Sequence, residues 1–228
     1  MAPAPSSAAD GLALPGDLAA RLAAARLDVF GAFHPNADDD APDGTGTILL
    51  LGPHEPGFWA HVSAAPEFLD GRADPMDRWS LRVIADIAKA TRTTALFPFG
   101  GPPWRPFIRW ATRSGRAWTS PVQLLVHDRA GLMVSYRGAL ALTDRLPLPP
   151  AASRPCNTCD GAPCATACPV GALTPAGYDL AACHSFLDGP EGRDCMENGC
   201  AVRRACPVSA RYGRLPEQSR FHMKAFHR

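Results

Sequence analysis

The chain has 228 residues, with 23 basic and 22 acidic side chains and a formal net charge of +1. Residues 1–150 carry 14 basic and 15 acidic side chains and residues 151–228 carry 9 and 7, so neither half has the one-sided positive charge that binds nucleic acid by electrostatics. No apolar run of about 18 residues occurs, which argues against a membrane-spanning helix. The length suits one medium domain and a small one.

Along the chain, Asp17 to about Gly31 reads as an amphipathic helix with Leu18, Leu22 and Leu27 on one stripe. Thr45 to Leu51 is a short apolar run suited to a buried strand. Gly57 to about Glu67 and Asp77 to Thr91 read as helices, the second with Trp79, Val83, Ile84 and Ile87 on one face. Thr94 to Phe99 reads as a strand and Pro106 to Arg113 as a short helix. Pro121 to His127 and Gly131 to Leu142 read as a strand pair joined at Asp128-Arg129-Ala130-Gly131. The expected division is an α/β domain over 1–145, a proline-rich linker over 146–155, a cysteine-rich domain over 156–215 and a tail over 216–228.

Two stretches of the first domain are candidates for ligand contact. Phe97, Phe99, Trp104 and Phe107 surround Gly100 and Gly101, a composition that lets backbone and flat aromatic rings approach a ligand, and that a loop packed on its own domain would equally give. His54 and Glu55 follow the first apolar strand, where open α/β sheets place ligands, and are candidate acid/base groups; His61 is expected to pack one helical turn along. No G-x-G-x-x-G, P-loop, G-x-S-x-G or H-E-x-x-H motif occurs.

All eight cysteines lie between residues 156 and 206: Cys156, Cys159, Cys164, Cys168, Cys183, Cys195, Cys200 and Cys206. A disulfide scaffold would need an export signal, and residues 1–27 lack a basic n-region and a twin-arginine pair. Structural zinc would want two short Cys knuckles, and Cys164-x3-Cys168-Pro169 makes an awkward second one. Two sets of four, each including a Cys-Pro step (Cys168-Pro169 and Cys206-Pro207), fit two [4Fe–4S] clusters. Pro169 and Pro207 remove a backbone N–H where the chain must turn sharply. In two-cluster ferredoxins the cysteine before the proline serves the other cluster. That likeness implies Cys156, Cys159, Cys164 and Cys206 for one cluster, and Cys183, Cys195, Cys200 and Cys168 for the second.

An α/β domain followed by a two-cluster ferredoxin domain resembles the core of epoxyqueuosine reductase and of corrinoid-dependent reductive dehalogenases. The likeness is carried by Tyr178-Asp-Leu-Ala-Ala-Cys183-His-Ser-Phe-Leu187 and by Cys168-Pro-Val-Gly-Ala-Leu173. His127-Asp-Arg-Ala-Gly-Leu-Met-Val-Ser-Tyr-Arg137-Gly138 is similar to a stretch of the cblC-type cobalamin-processing proteins, which share a nitroreductase-like fold with epoxyqueuosine reductase. The resemblance implies an α+β chain with a nitroreductase-like or other α/β first domain, and a corrinoid (cobalamin) there as electron acceptor. Arg137 would then meet a carboxylate, amide or phosphate, with His127 at the loop entering the strand. The plainer alternative has His127 capping a hairpin and Arg137 laying its stem on a sheet edge. The Asp-Ser/Thr-Gly-Pro proton donor of epoxyqueuosine reductase does not occur, and nucleic acid is not an expected partner. The expected function is a cytoplasmic iron–sulfur redox protein, with a low-potential electron donor and a small-molecule or cofactor acceptor as partners. The alternative is an electron carrier whose first domain only docks a partner enzyme.

Overall fold

The computed structural model describes residues 11–228, which form a mixed α+β chain with small antiparallel sheets. Part of the N-terminal stretch read for an export signal lies outside the described residues. Two units are distinguished, residues 1–116 with 135–152 and residues 117–134 with 153–228.

In the first unit, helix α1 (Leu18–Ala24) buries Leu18 and Leu22. The expected helix does not run on to Gly31. Arg26 adopts a left-handed φ of 52°, which ends it, and Leu27–Phe33 forms strand β1 instead. Val29, Phe30 and Phe33 there are β-branched or aromatic and almost wholly buried, so tertiary packing overrides the helical stripe. Strand β2 (Thr47–Pro53) is buried along its whole length. Helices α2 (Phe58–Ser63) and α3 (Pro66–Leu69) replace the single expected helix, because Pro66 lacks the N–H that continuation needs and instead opens a new turn. Helix α4 (Pro75–Thr91) buries Met76, Trp79, Ile84 and Ile87.

Strand β3 (Thr94–Leu96) stops short of Phe99, since Pro98 cannot donate to a ladder. Helix α5 (Phe107–Arg113) follows. It anchors through the Trp110 indole N–H to the Asp39 carbonyl at 2.8 Å and through Arg113 to the fully buried Asp39 carboxylate at 2.7 Å. Strand β6 (Gly138–Leu142) completes the sheet in the order β1-β2-β6-β3, with every pairing antiparallel. The placement of His54 and Glu55 at the crevice of a parallel sheet therefore loses its basis, because that rule belongs to sheets built from βαβ crossovers.

The second unit contains strands β4 (Ala117–Thr119) and β5 (Leu125–His127), which pair with each other. The expected pairing of 121–127 with 131–142 is not formed; one isolated bridge, His127 to Gly131, takes its place. Gly138–Leu142 pairs with β2 and β3 instead, where apolar residues on both sides make a buried central strand. The expected domain boundary at 145 shifts accordingly. Val122, Val126 and Leu132 share an apolar core with Cys164, Leu173, Val202 and Cys206, which draws segment 117–134 to the cysteine region. A small hairpin, β7 (Leu173–Thr174) and β8 (Gly177–Tyr178), precedes five helices: α6 (Leu180–Asp188), α7 (Arg193–Asn198), α8 (Ala201–Ala205), α9 (Pro207–Arg211) and α10 (Pro216–Phe226). The tail is thus a helix, packed on α7 within this unit.

Candidate metal centre

Short turns deliver the cysteines of the first half. Pro155–Thr158 and Pro163–Ala165 are single 3-10 turns, the latter entered through Ala162 in a left-handed conformation. Between them Gly161 has a φ of 70° and open space where a Cβ would stand, so residues 160–163 bulge outward as their turn composition suggests. Cys168 accepts a hydrogen bond at its sulfur from the Ala172 N–H at 3.2 Å.

Helix starts deliver the others. Asp179 caps α6 by accepting from the Ala182 N–H at 2.9 Å, which places Cys183 in the first turn. Cys195 lies on α7, which Gly199 ends with a φ of 90°; a Cβ there would stand 2.7 Å from that of Ser219. Cys200 starts α8, and extended Cys206 ends it before Pro207 opens α9.

All eight thiols are free, so no disulfide forms among them. Their mutual influence sorts them into two sets. Burial pushes the Cys156 thiol pKa up against the pull of Arg154, with Cys206 and Cys159 adding like-charge repulsion. Burial also raises Cys164, reinforced by Cys206, Cys156 and Cys159. Cys183 is raised by burial, opposed by the Tyr178 hydrogen bond and reinforced by Cys200 and Cys168. Cys195 is raised by burial, opposed by the Ala201 N–H, and feels Cys200. One set is therefore Cys156, Cys159, Cys164 and Cys206, the other Cys168, Cys183, Cys195 and Cys200.

Among the described residues, no group of three or more His, Cys, Asp or Glu side chains is close enough to hold a single metal ion. A cubane needs a wider arrangement, because its iron–sulfide core stands between the four thiolates. The donor chemistry fits such a core: four thiols per set, backbone N–H and hydroxyl donors on the sulfurs, and cations at Arg154 and Arg203. Sequence does not single out Tyr178 for this role; its signal is positional, in that it lies five residues before Cys183.

Of the residues expected to hold a corrinoid, Arg137, Gly100 and Gly101 belong to the first unit and His127 to the second. His127, in the second unit, is fully buried, and its Nδ1 accepts from the N–H groups of Arg129 at 3.1 Å and Ala130 at 3.3 Å. Both bonds place the ring proton on Nε2, so the 3.1 Å approach of Asp128 to Nδ1 is not an ion pair. His127 therefore organises a turn.

Arg137 belongs to the first unit. Its side chain is 12 % exposed, its nearest carboxylate is Asp77 at 3.8 Å, and its Nε has no hydrogen-bond partner among the described residues. Burial holds its pKa below the usual guanidinium value, opposed by Asp77. Gly101 serves its own loop, since a Cβ would stand 2.8 Å from the Trp104 ring and 2.9 Å from Pro103. Gly100 has a φ of 82° and open space beside it. His54 is half-exposed, 3.5 Å from buried Asp28, and His61 packs edge-on against Trp79. Sequence gave no sign of a cavity of about 280 Å³ in the first unit, lined by Val29, His34, Arg113, Arg116 and Pro149 among others. His34 hydrogen-bonds the Leu146 carbonyl there and Arg113 pairs with Asp39.

Among the described residues no helix is long and apolar enough to cross a membrane. Comparison with protein-family models, with curated proteins and with solved structures finds no match for this chain.

Proposed function

We propose that this chain is a cytoplasmic iron–sulfur redox protein whose second unit is a ferredoxin-like module holding two [4Fe–4S] clusters. Cys156, Cys159, Cys164 and Cys206 hold one, and Cys168, Cys183, Cys195 and Cys200 the other. The observation that supports this is the sorting of eight free, partly or wholly buried thiols into the same two sets of four that the Cys-Pro pattern implies. When bound, the clusters supply one-electron storage and transfer at low potential. The chain's own part is to shield the thiolates from water, donate hydrogen bonds to sulfur and set the surrounding charge.

An external low-potential donor supplies the electrons, and a small-molecule or cofactor acceptor held by the first unit receives them. A corrinoid on a nitroreductase-like first unit is the acceptor we propose, on the strength of Arg137, whose buried guanidinium keeps donor capacity for an amide, carboxylate or phosphate. The second reading, an electron carrier whose first unit only docks a partner enzyme, draws on exposed Trp104 and Ile108, which are 64 % and 73 % accessible.

Anaerobic reconstitution tests the module: about eight irons per chain and absorption near 400 nm are expected. Zinc uptake without that absorption overturns it. Titration with cob(II)alamin tests the acceptor. A spectral shift supports it, and normal cluster reduction without a shift leaves the carrier reading.

A further inference from the structure

We propose that Tyr178 and Arg203 make the cluster held by Cys168, Cys183, Cys195 and Cys200 the more easily reduced of the two. This rests on the two-cluster reading above.

Reduction adds negative charge to a cluster and its thiolates, so any group that stabilises negative charge there favours the reduced form. Tyr178, at the end of β8, donates its hydroxyl to the Cys183 sulfur at 3.3 Å. Its ring is held in place by stacking on Phe226 of α10, at 6.4 Å between centroids and 14° between planes. A hydrogen bond to an anionic acceptor is stronger than one to a neutral acceptor, so this one strengthens as the sulfur gains charge.

Arg203 adds a formal cation. It follows Cys200 by three residues on α8, one turn along, and its Nη1 donates to the Leu132 carbonyl, which pins the guanidinium inside the unit. It feels the charge of Cys200 and Tyr178, and burial works against its own ionisation. A cation partly shielded from bulk water interacts with a nearby added charge more strongly than a surface cation does.

Burial does not separate the two sets, since Cys164 and Cys206 are 7 % and 8 % exposed and Cys195 is 6 %; what separates them is the polar company of the sulfurs. On the other set Arg154 hydrogen-bonds Cys156 and also donates to the Thr119 carbonyl at 2.7 Å in an exposed contact, so solvent screens its charge more than that of part-buried Arg203.

Redox titration of the reconstituted full chain, followed by electron paramagnetic resonance, tests this. Wild type is expected to show two midpoints, and Cys183→Ser to abolish the higher. Tyr178→Phe keeps the ring stack and removes the hydrogen bond; it is expected to lower only the higher midpoint, by about threefold in the one-electron equilibrium. Arg203→Gln is expected to lower the same midpoint by about tenfold, or about 59 mV for one electron. Tyr178→Phe alone suffices if Arg203→Gln fails to fold. Full iron content with unmoved midpoints, a shift confined to the lower midpoint, or loss of the lower midpoint in Cys183→Ser overturns this inference alone. A wild-type chain that takes up no iron overturns the two-cluster reading and this inference with it.

Discussion

Gly131 lies so close to Ser209 that a Cβ at residue 131 would stand 2.4 Å from the Ser209 nitrogen and 2.6 Å from its Oγ. The next residue donates its N–H to that same Oγ at 2.8 Å, while Arg203 and Arg214 hold the carbonyls of Leu132 and Met133. The segment after β5 is thus fastened to the helices that follow Cys200. Gly131 also has a φ of 56°, which an L side chain adopts only with strain. Gly131→Ala is expected to destabilise the second unit by about 2–4 kcal/mol, combining left-handed strain with overpacking. Urea unfolding of wild type and variant gives the measurement, and an unchanged midpoint would contradict the tight contact.

The two thiol sets define two classes of serine variant. Substituting any of Cys156, Cys159, Cys164 or Cys206 is expected to remove one cluster's spectral signature, leaving about four irons per chain. Substituting any of Cys168, Cys183, Cys195 or Cys200 is expected to remove the other. Cys168→Ser is the informative member, because Cys168 is close in sequence to the first three cysteines yet belongs electrostatically with Cys183. If Cys168→Ser removes the same signature as Cys156→Ser, the crossing of ligands is wrong.

The proposed crossing rests on the Cys-Pro step, a local pattern. The mixed α+β class was legible in the sequence, along with α4, whose apolar period repeats over several turns. The failures cluster where short segments compete. Leu27–Phe33 carries a stripe that a helix could use, but it gains more by lining up against β2 over six residue pairs. Segment 131–142 reads as one strand, yet its first part is claimed by Ser209, Arg203 and Arg214 and its last part by β2 and β3. The partners responsible lie about 70 to 80 residues away in sequence for the former, so no local pattern announces them. Tyr178 escaped notice for a simpler reason: its role depends on hairpin β7–β8 turning its hydroxyl toward Cys183.

Around the start of α4, Asp70 accepts from both terminal nitrogens of Arg78, at 2.7 and 2.8 Å. That side-chain hydrogen bond, helped by the Arg72 N–H, lowers the Asp70 carboxyl pKa from 3.8 to about 2. Glu67 is lowered as well, chiefly by its hydrogen bond with Arg82. A carboxyl depressed in the folded state contributes stability above its unfolded pKa and loses that contribution as pH falls through the folded one. Stability is therefore expected to drop between about pH 4.5 and pH 2. Arg78→Gln should flatten this dependence, and added salt should weaken it because the Asp70 pair is solvent-exposed. Urea midpoints at pH 5 and pH 2.5 for both proteins provide the check; an equal acid loss in Arg78→Gln would rule out the pair as its source.

Arg137 separates a ligand-holding role from a structural one. The guanidinium is 12 % exposed and 3.8 Å from Asp77, and its Nε has no partner among the described residues, so within the fold alone it gains little from its charge. Burying a cation without close pairing costs free energy, and replacing it with an apolar side chain of similar length is often neutral or stabilising, by up to about 4 kcal/mol. Arg137→Met keeps the stem's packing and removes the donors. The expected outcome is an unfolding midpoint equal to or above wild type, together with a loss of cob(II)alamin affinity of about tenfold or more, the scale of one charge-assisted hydrogen bond. Arg137→Lys should recover only part of that affinity, since an ammonium lacks the planar fork. A variant that unfolds more easily while binding cob(II)alamin like wild type would make Arg137 a structural residue and leave the first unit without its proposed ligand contact.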